Sequence, residues 1–239
     1  MQTVSALFES LWRGPHLVES KVNINGVDYF DEDIISMRTS HSLFSESRPQ
    51  AGCVVVGVCA LEIIAPNVTV PKRACVKPYV RLTNEEKTQV SEWVQRGEFY
   101  TDKRYVDSND VLTLQAYDKL MFTERVKYTT TGDQGDYPMT DIAMVNSIAS
   151  MIGVNVDSRT VALMTAQYEV GYPGYGDAGY TLREILGFIG AMYGGNWCIT
   201  DVGDLRLIPL YELPAETYYI VTEYGEPITF GGDRIIWNG

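Results

Sequence analysis

The chain has 239 residues, 45% hydrophobic and 21% charged, enough for one large domain or two modest ones with cores of their own. Its formal charge of −12 is uneven: residues 1–128 carry 15 Lys and Arg against 17 Asp and Glu, while residues 129–239 carry 4 against 14. An acidic second half repels phosphate backbones and argues against direct nucleic-acid binding there, and no apolar run approaches the roughly 20 residues of a membrane-spanning helix.

The chain opens with a short amphipathic stretch (Val4, Leu7, Phe8, Leu11) that predicts a helix leaving at Pro15. Glu9 interrupts its apolar patch, and there is neither a basic n-region nor a small-residue cleavage site, so it is not read as a secretory signal and folding in the cytoplasm of the producing cell is expected. From Lys21 the texture is β. Lys21–Ile24 and Val27–Phe30 flank Asn25-Gly26, a strong hairpin signal because a type I′ turn needs positive φ at both central residues. Strands are then expected at Ile34–Thr39, Val54–Val58, Leu61–Ile64 and Val76–Leu82, with Pro78 marking the last as an edge or a bulge.

Residues 83–96 read two ways. Thr83–Glu86 resembles a helical capping box with Val90, Trp93 and Val94 at helical spacing, but the segment lies between strands, which favours a hairpin turning at Asn84–Lys87. Phe99–Thr101 and Val111–Asp118 continue the β pattern across the turn cluster Asp107–Asp110. Seven or more short strands at this spacing predict a small antiparallel barrel or sandwich.

The period changes after residue 138. Thr140-Asp141 caps a helix with the stripe Ile142, Val145, Ala149 and Ile152, and Gly153 stops it. Thr181–Glu184 is a capping box for a second helix, with the stripe Leu182, Ile185, Leu186 and Ile189 and a stop at Gly194. Helices this short need tertiary support. They are expected to pack on each other and on a hairpin of Asn196–Thr200 and Leu205–Leu210, turning through Asp201–Asp204. The fold class read from these patterns is α+β.

Motifs that carry chemistry are scarce. Gly174-Tyr175-Gly176-Asp177-Ala178-Gly179 is a literal G-x-G-x-x-G before a helix, with Asp201 at a ribose-like distance. However, Tyr172-Pro173 stands where the fingerprint needs a buried strand, Asp177 would repel a pyrophosphate, and the chain shows no strand–helix–strand alternation, so a Gly/Tyr loop is the reading taken. Asp31-Glu32-Asp33, and Asp201 with Asp204, offer paired carboxylates but too few ligand positions for a recognisable cation loop. Cys53, Cys59, Cys75 and Cys198 have no metal-ligand spacing and read as free cysteines, three of them beside apolar or β-branched neighbours. His16 and His41 lie far in sequence from any Cys or carboxylate cluster. There is no G-x-S-x-G elbow, and neither Gly97 nor Gly132 begins a phosphate loop. No catalytic, cofactor or metal-binding residue is nominated. The densest unusual feature is aromatic: Tyr168, Tyr172, Tyr175 and Tyr180 alternate with Gly171, Gly174, Gly176 and Gly179, a composition suited to contact surfaces and equally to packing of one or two rings.

The strand running into Tyr117-Asp118-Lys119-Leu120-Met121, the Thr181–Gly190 helix, Gly194-Gly195-Asn196-Trp197 and the Leu205–Leu210 strand together resemble the amino-terminal part of the tail hub (tail-associated, baseplate hub-like) proteins of long-tailed phages and prophages. The likeness covers about residues 20–210, and it also favours a β-pair carrying Ser91-Glu92-Trp93. It implies a β-barrel-like tube domain over residues 1–125, a small inserted two-helix and hairpin α/β domain over 126–210, and strands of a second tube domain over 211–239, begun by Tyr218–Val221 and Pro227–Ile236 and apparently truncated. What the resemblance implies for function is a structural, non-enzymatic component of the virion tail, made in the bacterial host cytoplasm and connecting the tail tube to the tip. The partners it implies are sister hub subunits in a homotrimer, the distal tail protein and the tape-measure protein, with no cofactor, no specificity for nucleic acid and no membrane segment. A cell-surface carbohydrate-binding module is the alternative that the Tyr/Gly loop suggests, and a cell-wall hydrolase is a weaker one.

Overall fold

A computed structural model of the chain describes residues 4–45, 49–65, 69–106, 110–128, 137–165, 168–174 and 179–210, and the backbone of 218–219, 229–230, 233–234 and 236–237. Helix α1 (Ala6–Arg13) starts at Ser5, whose hydroxyl accepts from the Phe8 amide, and Leu11 is its buried residue. Strands β1 (Leu17–Ile24) and β2 (Val27–Phe30) form the expected hairpin, with Asn25 at φ 51° and Gly26 at φ 93°. β3 (Ile34–Ser40), β4 (Val58–Ile64), β5 (Cys75–Thr83), β6 (Val94–Gln95), β7 (Phe99–Val106) and β8 (Val111–Tyr117) complete an eight-stranded antiparallel sheet. Its path is β2-β1-β5-β7-β8-β4-β3, with β6 alongside β5. The two ends of that path are consecutive in the chain, and Tyr29 of β2 packs into the same core as Ile34 and Met37 of β3. The sheet therefore curls round one core, although among the described residues no ladder joins β2 to β3.

Period-two burial builds that core. Cys59, Leu61 and Ile63 of β4 and Leu112, Leu114 and Ala116 of β8 point inward and alternate with outward neighbours. Each large aliphatic side chain buried in this way contributes roughly 1.5–3 kcal/mol.

One local expectation is corrected, and two that left alternatives open are decided. The strand expected at Val54–Val58 does not form as one. Val54 makes an isolated parallel bridge to Trp197, and β4 begins at Val58, because the Gly57 amide donates to Asp118 rather than to a ladder. Pro78 is not on an edge: it sits in β5, pairs with Val22 of β1, and faces on its other side the one-residue register shift between β6 and β7, so of the two expectations the bulge is the one met. Its carbonyl accepts from the Arg96 amide, so the side lacking an N–H faces the break where β6 gives way to β7, and no ladder bond is lost. The tight turn at residues 84–87 is as expected, with the Lys87 amide donating to the Asn84 carbonyl and Thr83 bridging Val90. There is no helix at 83–96.

A 3-10 turn over Lys119–Thr123 leads into the second core. β9 (Met139–Thr140) precedes α2 (Asp141–Ile152), whose burial falls on Met144, Val145, Ile148, Ala149 and Ile152 and leaves Ile142 only partly covered. A short helix α3 (Ser158–Leu163) and a two-residue strand β10 (Glu169–Val170), paired with β9, carry no signal in the periodicity. α4 (Leu182–Met192) has the capping box in full: the Thr181 hydroxyl accepts from the Glu184 amide, and the Glu184 carboxylate accepts from the Thr181 amide. β11 (Gly195–Ile199) and β12 (Leu205–Pro209) form the expected hairpin. Trp197 is fully buried between them and α4, its indole N–H donating to the Leu186 carbonyl.

The connector before β4 stitches the sheet to this second core. The Gly52 amide donates to Gly195, Cys53 and Trp197 exchange a backbone bond, and Asn196 bridges the Cys53 amide and the Leu43 carbonyl. Val54 and Leu120 belong to the second core by packing, although both precede residue 126. Beyond Leu210, the described backbone forms two further two-residue ladders, β13 (Tyr218–Tyr219) with β16 (Ile236–Trp237), and β14 (Thr229–Phe230) with β15 (Asp233–Arg234). The rest of Tyr218–Val221 and Pro227–Ile236 lies outside the described residues.

Candidate functional site

The β11–β12 turn overhangs a cleft of about 610 Å³ that gathers His41, Asp157, Arg159, Cys198, Asp201 and Arg206. Sequence distance hid this gathering: His41 and Cys198 line one cleft, and His41 Nε2 lies 3.9 Å from Asp201 Oδ1. Tertiary structure thus provides the acidic neighbour that the sequence around His41 lacks. Arg159 closes a two-pronged pair on Asp157, and that bond holds the aspartate down to about 2, against the opposing effect of burial. Burial, reinforced by the nearby aspartates, pushes the Cys198 thiol up to about 11, so the nucleophilic thiolate is disfavoured at neutral pH. Cys59 is higher still, at about 12, from burial alone. All four cysteines are free. The cleft is polar, with Asp157 paired to Arg159, and it contains no activated nucleophile among the described residues.

The paired carboxylates do not converge on a cation position. Asp31 accepts from the Ser20 amide at the β2–β3 turn, while Asp201 is engaged from the sheet by Gln95, whose side chain donates to its carbonyl at 2.9 Å. Among the described residues, no group of three His, Cys, Asp or Glu side chains is arranged to hold a metal.

Of the Gly174–Gly179 motif, residues 175–178, including Tyr175, lie outside the described residues. What precedes it is β10, antiparallel to β9 and two residues long, rather than the buried parallel strand a dinucleotide site requires.

The flanking aromatic residues do come together. Val170, Tyr172, Pro173, Tyr180, Phe188 and Met192 line a shallow groove of about 280 Å³ along the outer face of α4. Tyr180 and Phe188 meet edge-on with centroids 5.3 Å apart, and Tyr137 and Tyr172 do the same at 5.1 Å. Phe188 is 54% exposed and Met192 48%, so α4 has an apolar outer strip as well as the inward stripe that the sequence shows. Phe188 and Met192 could have been found in the sequence from their helical spacing to each other on the flank of the buried stripe, beside Ile185 and Ile189.

No family model matches the sequence, and no curated protein matches it. Solved structures do match in fold. The chain is similar to the prophage MuSo2 43 kDa tail protein from Shewanella oneidensis, with a TM-score of 0.51 and 13% identity, covering 90% of this chain and 61% of that one. It is also matched, at a TM-score of 0.46 and 8% identity, by a chain of the Francisella PdpA-VgrG complex in its half-lidded form, covering 87% of this chain and 35% of that one. The chain thus spans about three-fifths of the length of the prophage tail protein. The α+β fold expected from the tail-hub resemblance is the fold observed, and it is shared with a tail protein of a prophage.

Proposed function

We propose that the chain is a structural component of a bacteriophage or prophage tail, forming part of the hub that connects the tail tube to its tip. The observation that carries this reading is the fold likeness to a prophage tail protein over 90% of the chain. In this reading residues 1–125 form the tube domain, 126–210 the inserted domain, and 211–239 the beginning of a second tube domain. Its partners are sister copies in a homotrimer, the distal tail protein and the tape-measure protein, and its location is the virion tail. The side chains support a role in geometry rather than turnover: the cleft under the β11–β12 turn has a paired Asp157 and a raised thiol, while the exposed groove on α4 is aromatic and apolar. The −10 charge of residues 129–239 would keep a surrounding channel from retaining DNA.

Gold-labelled antibody against the chain, applied to tailed particles from a producing strain, tests the reading by electron microscopy. Label is expected at the tail end distal to the head. Label spread along the tube, or particles without any, would remove the hub assignment.

The α4 groove gives one observation in favour of a carbohydrate-binding module, since exposed aromatic rings stack on sugars. Glycan-array binding by the intact protein, abolished by Tyr172→Ala, would favour that reading over the hub.

A further inference from the structure

A third cavity, of about 520 Å³, lies at the seam between the two cores and is unused by the reading above. Arg73 reaches it from the approach to β5, Arg125 from the segment after the 3-10 turn, and Arg183 from the first turn of α4. Asp102 of β7 and Glu124 also line it, and Met121 and Phe122 form an apolar wall. Among the described residues, none of the three arginines makes an ion pair within 4.0 Å. Arg73 lies over the Phe122 ring, 5.1 Å from its centroid.

Arg183 is the unusual member. Its Nε and Nη2 atoms are both shielded from water and have no hydrogen-bond acceptor. These two N–H groups form one edge of the guanidinium, the edge whose spacing matches the two oxygens of a carboxylate. Two other arginines show that edge closed on a carboxylate. At Arg159 it grips Asp157, and at Arg81 both nitrogens fall on Glu19, at 2.7 and 2.6 Å. The carboxylate that feels the Arg183 charge is Asp118, but its oxygens already accept from the Gly57 amide at 2.6 Å and the Leu120 amide at 2.9 Å. Buried donors without acceptors forfeit their hydration, the more so when charged, so any acceptor reaching this edge starts with an advantage. Arg183 is only partly buried and lines the cavity.

We propose that this cavity is an anion site that receives the carboxylate of an acidic residue on a partner polypeptide, seated on the Nε/Nη2 edge of Arg183, with Arg73 and Arg125 supplying the surrounding positive charge. Charge matching selects a carboxylate over a phosphate: three arginines against Asp102 and Glu124 leave one net positive charge, which neutralises a monoanion and under-compensates a dianion. Met121 and Phe122 accommodate the aliphatic part of the incoming residue and its apolar neighbours. The inference does not depend on the tail reading, because the titration below neither requires nor tests a location in a virion.

The test uses the ¹⁵N-labelled full chain and follows the arginine Nε–Hε resonances. At constant ionic strength it is titrated with acetyl-Leu-Glu-Leu-amide, with acetyl-Leu-Gln-Leu-amide, or with sodium phosphate. The glutamate peptide should give a saturable downfield shift of the Arg183 Hε resonance, and the glutamine peptide should bind about tenfold more weakly, since a charged hydrogen-bond pair is replaced by a neutral one. The peptide's effect on the backbone amides around the cavity should be lost in Arg183→Gln and Arg183→Lys, the latter because a point charge lacks the fork. Arg125→Gln, at an exposed position, should keep the wild-type backbone spectrum and weaken binding severalfold. Equal affinity for the two peptides, tighter binding of phosphate than of the glutamate peptide, or no saturation would each overturn the proposal. If Arg183→Gln fails to fold, the wild-type titrations and Arg125→Gln still decide it.

Discussion

Asp118 and Asp157 are two buried aspartates that their surroundings push in opposite directions. Burial drives Asp118 up to about 7, opposed by the Gly57 and Leu120 amides and by Arg183. The Arg159 hydrogen bond holds Asp157 down at about 2. The linkage signs follow. The folded state binds the Asp118 proton more tightly than the unfolded chain does, so its penalty is absent below about pH 4 and grows to on the order of 4 kcal/mol above about pH 7. Asp157 contributes stability above about pH 4 that is lost as pH falls towards 2. Urea midpoints should therefore fall as pH rises from about 5 to about 8, and Asp118→Asn should flatten that limb. Asp157→Asn should flatten the acid limb instead. A wild-type midpoint that held constant across the upper range would show that Asp118 titrates like a solvated carboxylate. His41 makes the complementary residue-scale point: its aspartate neighbour lies 160 positions along the chain and is found only by folding.

At the scale of elements, the connector before β4 and helix α4 approach more closely than any side chain permits. Gly52 adopts φ 84°, and a Cβ built there would lie 2.6 Å from the Gly187 carbonyl oxygen. Gly52→Ala must push α4 away or open the Gly52–Gly195 bond, and should destabilise the protein by roughly 1–3 kcal/mol. Gly26 is the control: its φ is similarly positive at 93°, but a Cβ there meets nothing within 4 Å. Chemical denaturation of both variants separates the two effects, and equal losses would mean that backbone strain alone, not helix contact, governs Gly52. The β5–β6 region shows the same dependence on context. Its capping-box pattern is real as a sequence, but Leu82 and Thr83 already bond across the sheet to Ser91 and Leu17, leaving no backbone free for a helical turn.

For the molecule as a whole, the exposed strip of α4 is the surface whose loss should matter to assembly and not to folding. Replacing Phe188 and Met192 together by Ser removes exposed apolar area, so each change should alter stability by no more than about 0.5 kcal/mol. If the strip meets a neighbouring tail subunit, particles from a strain carrying the double variant should lack the chain at the tip while the purified protein melts normally. Normal incorporation of that variant would assign the strip another purpose. The seam has the opposite character. It is held by backbone bonds from residues 52–54 to residues 195–197 and by a buried tryptophan, so the two cores should unfold together.

The sequence by itself determined the elements whose signals are local: the Asn25-Gly26 hairpin, the capping box of α4, the alternation of β4 and β8, and the stripes that bury α2 and α4. These depend on turn chemistry and periodicity, which act within a few residues. Only the tertiary structure decided where Pro78 sits, why Val54 leaves the sheet, that α3 exists, and which distant charges share a cavity. A proline's tolerance depends on which neighbouring strand its missing N–H would face, and an arginine's pairing depends on residues brought close by packing. Both are properties of chain segments meeting in space, and no window of sequence contains them.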